Sequence, residues 1–389
     1  MSTLSPTIST QERAADKPLR VLLIVDADTF AGTERHVLDL ALGLKGLGVD
    51  AHIGCPVPSP LAELAKQSRV EVLELPKHAA PLIPLTVFGL FRRLRNRTYD
   101  LIHAHNGRTT FLALLAVAIA GRGKCVTTQH FISPSRATRI GFRGMCSNTL
   151  HRWMAGRIGA LIAISTSVAD AARRRGDADP AAIHTVLNGM RLAANEENGT
   201  AVYDEFDLDT SAPLILSLAR LEPEKDVATL VEAMAKVVKT CPDAVCLVAG
   251  AGSQREALQE QIETLGLEKN VRLIGFRNDT ESLLAAAKLF VLPSPDEPFG
   301  LAVLEAMMAR LPVVATRSGG PAEIVSAPDT GDLIPPRDPH AMADSITRYL
   351  QNPESAVEAG EAGYRRLQQN FSAERMAREI SDVYRQVCY

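Results

Sequence analysis

The chain is short of cysteine, of long apolar runs and, over one stretch, of acids, and each shortage removes a class of protein. Its six cysteines (55, 125, 146, 241, 246 and 388) form no Cys-x-x-Cys pair, and the one close spacing, Cys241 to Cys246, has no neighbouring His. A disulfide scaffold and a cysteine zinc site are excluded, and reduced thiols in a cytosolic protein are expected. No apolar run reaches the roughly 18–20 residues that span a bilayer; the longest, Phe111–Ala120, is expected to be a buried helix. Residues 1–17 are polar and lack an apolar core, so a disordered tail is expected there and not a secretory signal.

What remains is an ordinary globular composition, with 46% apolar and 22% charged residues, 26 Gly and 23 Pro, which excludes disorder, collagen and coiled coil. A length of 389 residues allows two domains. The net charge of −3 conceals an asymmetry: residues 1–200 carry 24 Lys+Arg against 16 Asp+Glu, leaving 18 against 29 for the rest. From Lys77 to Arg157 there are thirteen cations and a single acid, Asp100. Such a basic strip seeks an anionic partner.

From Arg20 to Gly189 short apolar, β-branched runs alternate with helical periodicity: 20–26, 50–55, 70–75, 101–105, 125–129, 161–165 and 184–188. Strands so continuously apolar are buried on both faces, which means a parallel α/β sheet. Residues 190–212 are acidic and polar, and the same grammar then restarts at 214–219, 245–250, 271–276, 289–293, 313–316 and 332–334. The expectation is two tandem Rossmann-like α/β domains: 18–190 for the first and 191–371 for the second. Ligands of open parallel sheets lie beyond the carboxyl ends of the strands, and two such domains facing each other are expected to make a cleft.

Chemistry-bearing residues stand at those strand ends. Glu297 lies in the Pro-rich loop after 289–293, Gly300 opens a helix whose N-terminus suits a phosphate, and Glu305 follows on that helix. Arg220 and Lys225 leave the strand at 214–219, where an Arg fork and a Lys point charge can hold a diphosphate or stand as plain surface charges. Thr316-Arg-Ser-Gly319-Gly320-Pro-Ala-Glu323 reads as a close backbone approach to a ligand, or as a tight turn. In the first half, Gly32 and Thr33 open a second helix, and His103, His105 and His130 sit at strand ends. Two Asp-x-Asp patterns, Asp26-Ala-Asp28 and Asp207-Leu-Asp209, match that of metal-dependent transferases, a spacing that also arises by chance.

Taken in order, Ala31-Gly-Thr-Glu34, His103-Ala-His105, Thr128-Gln-His130, Ile164-Ser165, Asn188-Gly189, Arg220 with Lys225, Gly250-Ala-Gly252, Gly275-Phe276, Glu297-x7-Glu305 and Ser318-Gly-Gly320 with Glu323 resemble the motifs of retaining glycosyltransferases of family four. The resemblance spans residues 18–385 and departs at Ala31, where the family usually has the first of two glycines. It implies a GT-B fold with a last helix, about 372–389, crossing back to the first domain. It further implies that Arg220 and Lys225 hold the donor diphosphate, Glu305 the ribose and Glu297 the sugar hydroxyls. Backbone N–H groups around Phe299, Gly300 and Leu301 would place sugar and phosphate. Gly250, Gly275 and Phe276 would lie along the nucleoside, Gly32 and Thr33 at the diphosphate, and His130 beside the transferred sugar, so that Glu297, His130, Arg220 and Lys225 form the catalytic set.

The implied reaction moves a sugar from a UDP or GDP sugar, with retention, to a glycan or lipid-linked acceptor of cell-envelope polysaccharide or lipopolysaccharide type. Cations and a helix tip would stabilise the leaving diphosphate, so no metal or other cofactor is expected. His105, Arg92, Arg93, Arg136, Arg139 and Arg143 fall on the acceptor side, where a cation-rich amphipathic surface suits an anionic membrane at the cytoplasmic face. The rival readings are a nucleotide-sugar epimerase of the same architecture, which would need more acids in the first domain, and a non-catalytic nucleotide-binding protein. Nucleic acid is disfavoured because the strip has few aromatics for base stacking.

Overall fold

The computed structural model describes residues 18–26, 31–76, 83–132, 142–192 and 199–389, with the backbone alone for 142–148. All thirteen expected strands form: β1 (Arg20–Ile24), β2 (Asp50–Pro56), β3 (Val72–Leu75), β4 (Leu101–Ala104), β5 (Lys124–Gln129), β6 (Ala160–Ala163), β7 (Ile183–Thr185), β8 (Leu214–Leu218), β9 (Val245–Ala249), β10 (Val271–Gly275), β11 (Leu289–Leu292), β12 (Val313–Thr316) and β13 (Gly331–Ile334). They assemble into a seven-stranded sheet, ordered β3-β2-β1-β4-β5-β6-β7, and a six-stranded sheet, β10-β9-β8-β11-β12-β13. Every pairing is parallel.

The chain divides into two compact units. The first contains the chain up to Ala163, Ala169–Val186 and the terminal Ala373–Tyr389; the second contains Ile164–Val168 and Leu187–Ser372. In the first unit the alternation along β1 explains why the strand is apolar throughout. Val21, Leu23 and Val25 pack into one core with Leu40 and Leu44 of the helix Gly32–Lys45. Leu22 and Ile24 pack into a second core with Leu90 and Leu94 of the helix Ile83–Arg95 and Leu112 of the helix Gly107–Ala120. A strand covered by helices on both faces has no solvent side on which to place polar residues.

The helix Ala373–Cys388 joins the first of these cores through Met376, Ile380 and Tyr384. It approaches the helix Gly32–Lys45 closely: a Cβ added at Gly43 would lie 2.6 Å from that of Ala377. In the second unit Ile215, Cys246, Val248, Leu289 and Val291 meet the helices Val227–Thr240 and Pro339–Gln351 in one core. The sequence β1-β4 in the first sheet and β8-β11 in the second marks where each strand order reverses. Loops leaving adjacent strands at a reversal run to opposite faces and leave a crevice between them.

Candidate functional site

In the second unit the reversal lies between β8 and β11, and the loops leaving these two strands carry Arg220, Lys225, Glu297 and Gly300. After β8 the chain makes a single 3-10 turn, Pro223–Lys225, and enters the helix Val227–Thr240 through Asp226 in the left-handed region. That turn delivers the Lys225 ammonium 2.7 Å from a carboxylate oxygen of Glu297, and both side chains are mostly shielded from solvent. Arg220 stays exposed, donating to Glu224 at 2.6 Å. Glu222, from the same loop, accepts from the backbone N–H of Ser253 at 3.1 Å and from its hydroxyl at 2.6 Å, which ties the β8 loop to the β9 loop.

The loop after β11 is held by main-chain acceptors. Ser294 O accepts from Thr316 Oγ1 and, at 3.0 Å, from Ser318 Oγ, while Pro298 O accepts from Ser165 Oγ at 2.6 Å. Gly300, at φ 99 and ψ 57, then turns the chain into the helix Leu301–Met308 with no side-chain cap among the described residues, and Val303 N–H donates to Gly300 O at 2.9 Å; the start of such a helix suits an anion. Leu301 is the first residue of that helix and Glu305, half-buried, stands one turn along it. Phe299 is buried, edge-on to Phe371 at 6.3 Å between ring centroids, so only its backbone can face a ligand.

Several glycines of the second unit lie against its own backbone. A Cβ at Gly320 would fall 2.1 Å from Phe299 backbone atoms, and one at Gly319 2.2 Å from Glu297 O. The pair therefore lets the Glu297 loop lie against the next strand end, and Gly320 N–H donates to Glu297 O at 3.0 Å. Gly250 likewise meets the chain itself, since its Cβ would lie 1.8 Å from Ala219 O. Gly275, at φ 76, faces open space, and Phe276 beside it is 68% exposed. The following Arg277 is braced by Glu205 at 2.8 Å and Asp279 at 2.6 Å, and these bonds raise its pKa above the ordinary guanidinium value.

In the first unit Gly32 is exposed and Thr33 half-buried at the start of the helix Gly32–Lys45, and Glu34 folds back to accept from Ala31 N–H at 2.9 Å. Burial raises the Glu34 carboxyl above its usual value, against the opposing effect of its backbone hydrogen bonds. At the ends of β4 and β5 stand His103, His105 and His130, all buried. His105 Nδ1 lies 3.2 Å from His130 Nε2. His103 bonds Tyr384 OH at 2.6 Å through Nδ1 and Thr128 Oγ1 at 2.7 Å through Nε2. Desolvation holds all three imidazoles well below their ordinary pKa, with the neighbouring rings adding to the effect. His36, a fourth buried ring, stands edge-on to His130 at 4.8 Å. His36 and Tyr384 had no signal in the sequence, because neither lies at a strand end.

His105 is 1% exposed, so it is an interior group and not part of an acceptor-facing surface. Arg92 is exposed on the helix Ile83–Arg95, where Leu85 and Phe88 are also exposed; Arg93 folds back to donate to Gly89 O at 3.1 Å. Arg136 and Arg139 lie outside the described residues, as does the side chain of Arg143. Of the Asp-x-Asp patterns, Asp26 pairs with Arg108 at 3.6 Å, Asp28 lies outside the described residues, and Asp209 accepts from Ser211 N and Oγ at 2.8 and 2.7 Å.

Residues 30–194 match the family model Glycosyltransferase Family 4, and residues 203–366 match Glycosyl transferases group 1. The chain is 28% identical to alpha-maltose-1-phosphate synthase of Mycobacterium tuberculosis (strain CDC 1551 / Oshkosh), over 93% of its own length and 97% of that protein. It is 32% identical to the lipopolysaccharide core biosynthesis glycosyltransferase LpsE of Rhizobium meliloti (strain 1021), over 47% of this chain and 52% of LpsE. Among solved structures, Anabaena Alr3699/HepE in complex with UDP-glucose aligns with a TM-score of 0.81 at 22% identity, over 95% of this chain and 100% of that one. That likeness is one of fold.

Proposed function

We propose that this chain, whose two halves match glycosyltransferase family models, is a GT-B glycosyltransferase of the family 4 type that moves a sugar with retention from a nucleotide diphosphate sugar to a glycan or lipid-linked acceptor, without a metal ion. The observation that carries this reading is the meeting of Lys225 and Glu297 where the strand order of the second sheet reverses, next to the Gly300-capped helix. One loop supplies positive charge and the other a carboxylate and the N-terminus of a helix. A phosphorylated sugar needs the first for its diphosphate and the second for its hydroxyls.

In this reading Arg220, Lys225 and the first turn of the helix Leu301–Met308 stabilise the departing diphosphate, Glu305 binds the ribose, and Glu297 orients the sugar. Gly32 and Thr33 are assigned to the diphosphate, and His130 to the transferred sugar. The acceptor hydroxyl attacks on the face that the phosphate leaves, and the phosphate takes its proton. The HepE complex with UDP-glucose makes UDP sugars the first donors to try, and LpsE favours an envelope acceptor. The exposed Leu85, Phe88 and Arg92 support contact of the first unit with an anionic membrane at the cytoplasmic face.

The test is donor turnover across a panel of nucleotide sugars, with the anomeric configuration of the released or transferred sugar read by NMR. Retention is expected. Inversion overturns the mechanism, interconversion of the donor without release makes the protein an epimerase, and binding without turnover makes it a non-catalytic binder. Sedimentation with vesicles containing anionic lipid is expected to weaken as salt rises; no binding at any salt removes the membrane from the proposal.

A further inference from the structure

We infer that His105 is a positioning residue that sets the tautomer of His130, so that His130 presents a neutral ring with its proton on Nδ1. What that N–H meets rests on the assignment of His130 to the transferred sugar; the tautomer itself does not. β4 and β5 are adjacent parallel strands, so the residues following their ends, His105 and His130, are brought side by side. Their facing nitrogens, Nδ1 and Nε2, are 3.2 Å apart. Both rings are buried among two further imidazoles, His36 and His103, and a second proton on His105 or His130 is disfavoured by desolvation and by the neighbouring rings. One proton therefore lies between the two nitrogens, and one ring donates it.

The other nitrogen of His105 decides which. Its Nε2 is buried with no hydrogen-bond partner among the described residues. If His130 donated, His105 would carry its own proton on Nε2, as a buried N–H without an acceptor. Buried orphan N–H groups are rarer and costlier than buried acceptors with a spare lone pair. So His105 donates from Nδ1, His130 accepts at Nε2, and the single proton left to His130 sits on Nδ1. The His105 ring cannot easily turn away, because His103 packs against it at 4.2 Å between centroids and is pinned in turn by Tyr384 and Thr128.

A ring fixed in this way is a hydrogen-bond donor to an oxygen acceptor such as a sugar hydroxyl or a phosphate oxygen. Its Nδ1 cannot take the acceptor's proton, and that leaves the step to the departing phosphate. A competing use exists for the same lone pairs. His36, His105 and His130 are the group, among the described residues, that brings three metal-ligating atoms within 4.8 Å of one another.

The experiment is long-range proton–nitrogen correlation NMR on the full chain with its histidine rings labelled, in the absence of donor, at neutral pH. His130 is expected to carry its proton on Nδ1, and to lose that preference in His105→Leu but not in His105→Asn, whose amide keeps a donor near the Nδ1 position. In turnover, His130→Asn retains a donor at that position and should exceed His130→Gln in kcat by about tenfold, the worth of one hydrogen bond, with donor KM little changed. A proton on Nε2 of His130 overturns the inference, as does equal loss in the two His130 variants. A stoichiometric transition metal in protein purified without chelator overturns it too. The NMR result needs no turnover, so the expected tautomer in a chain that transfers no sugar would count against the glycosyltransferase reading alone.

Discussion

Lys225 and Glu297 are 72 positions apart in sequence and joined by a 2.7 Å bond that is largely out of water. Removing one partner strands the other, so Lys225→Ala should cost about 1–3 kcal/mol of stability. Lys225→Ala combined with Glu297→Gln should cost less than the sum of the two, measured by a double-mutant cycle in urea. In ligand binding the two glutamates should separate: Glu305→Ala should abolish most of the thermal shift given by UDP or GDP, whereas Glu297→Ala should spare that shift and depress turnover. Identical binding losses would show the roles to be misassigned. The buried histidines make a pH prediction. In the unfolded chain each titrates near its ordinary 6.5, and in the folded chain well below it. Their contribution to stability is therefore complete above that value and is lost as pH falls below it, because the unfolded chain then takes up protons that the folded chain refuses. Each histidine adds a slope of about 1.4 kcal/mol per pH unit in that window. The urea midpoint should fall between pH 7.5 and 5.5, and less steeply in His105→Asn.

At the scale of elements, the Glu297 loop is shaped by glycines for two different reasons. Gly300 is set by its backbone angle, since a Cβ there would meet only ordinary contacts at 3.5 Å. Gly300→Ala should thus fold with a penalty of about 1–2 kcal/mol for a left-handed non-glycine residue. Gly320 is set by space: its Cβ would overlap the backbone of Phe299. Gly320→Ala has to push the Glu297 loop away, so its nucleotide-induced thermal shift should be lost while that of Gly300→Ala is only reduced. The sequence shows the same letter at both places. Periodicity placed these glycines after strands, but only the neighbouring strand end shows what each one faces. The same holds at Gly250, where an added Cβ would overlap Ala219 O.

For the whole molecule, the chain closes its first unit with its last helix. Tyr384 is among the largest fully buried side chains and lies 281 positions from its hydrogen-bond partner, His103. Deleting 373–389 should expose the face of Met376, Ile380 and Tyr384 and leave the first unit open to limited proteolysis while the second resists. Tyr384→Phe, which removes only the hydroxyl and leaves a buried nitrogen without its partner, should cost about 1–3 kcal/mol, read as a lower melting temperature without loss of fold.

The sequence by itself determined the layers and the places where chemistry stands. Strands covered on both faces must be apolar throughout, and that pattern is written in residues a few positions apart, as Val21 to Val25 show; the ends of such strands are where side chains meet ligands. Tertiary structure alone decided which strand ends become neighbours. The reversals at β1-β4 and β8-β11, the Lys225–Glu297 pair, the two roles of glycine and the proton shared by His105 and His130 all depend on contacts between distant segments. Those contacts are chosen by packing the whole core, and no local periodicity encodes them.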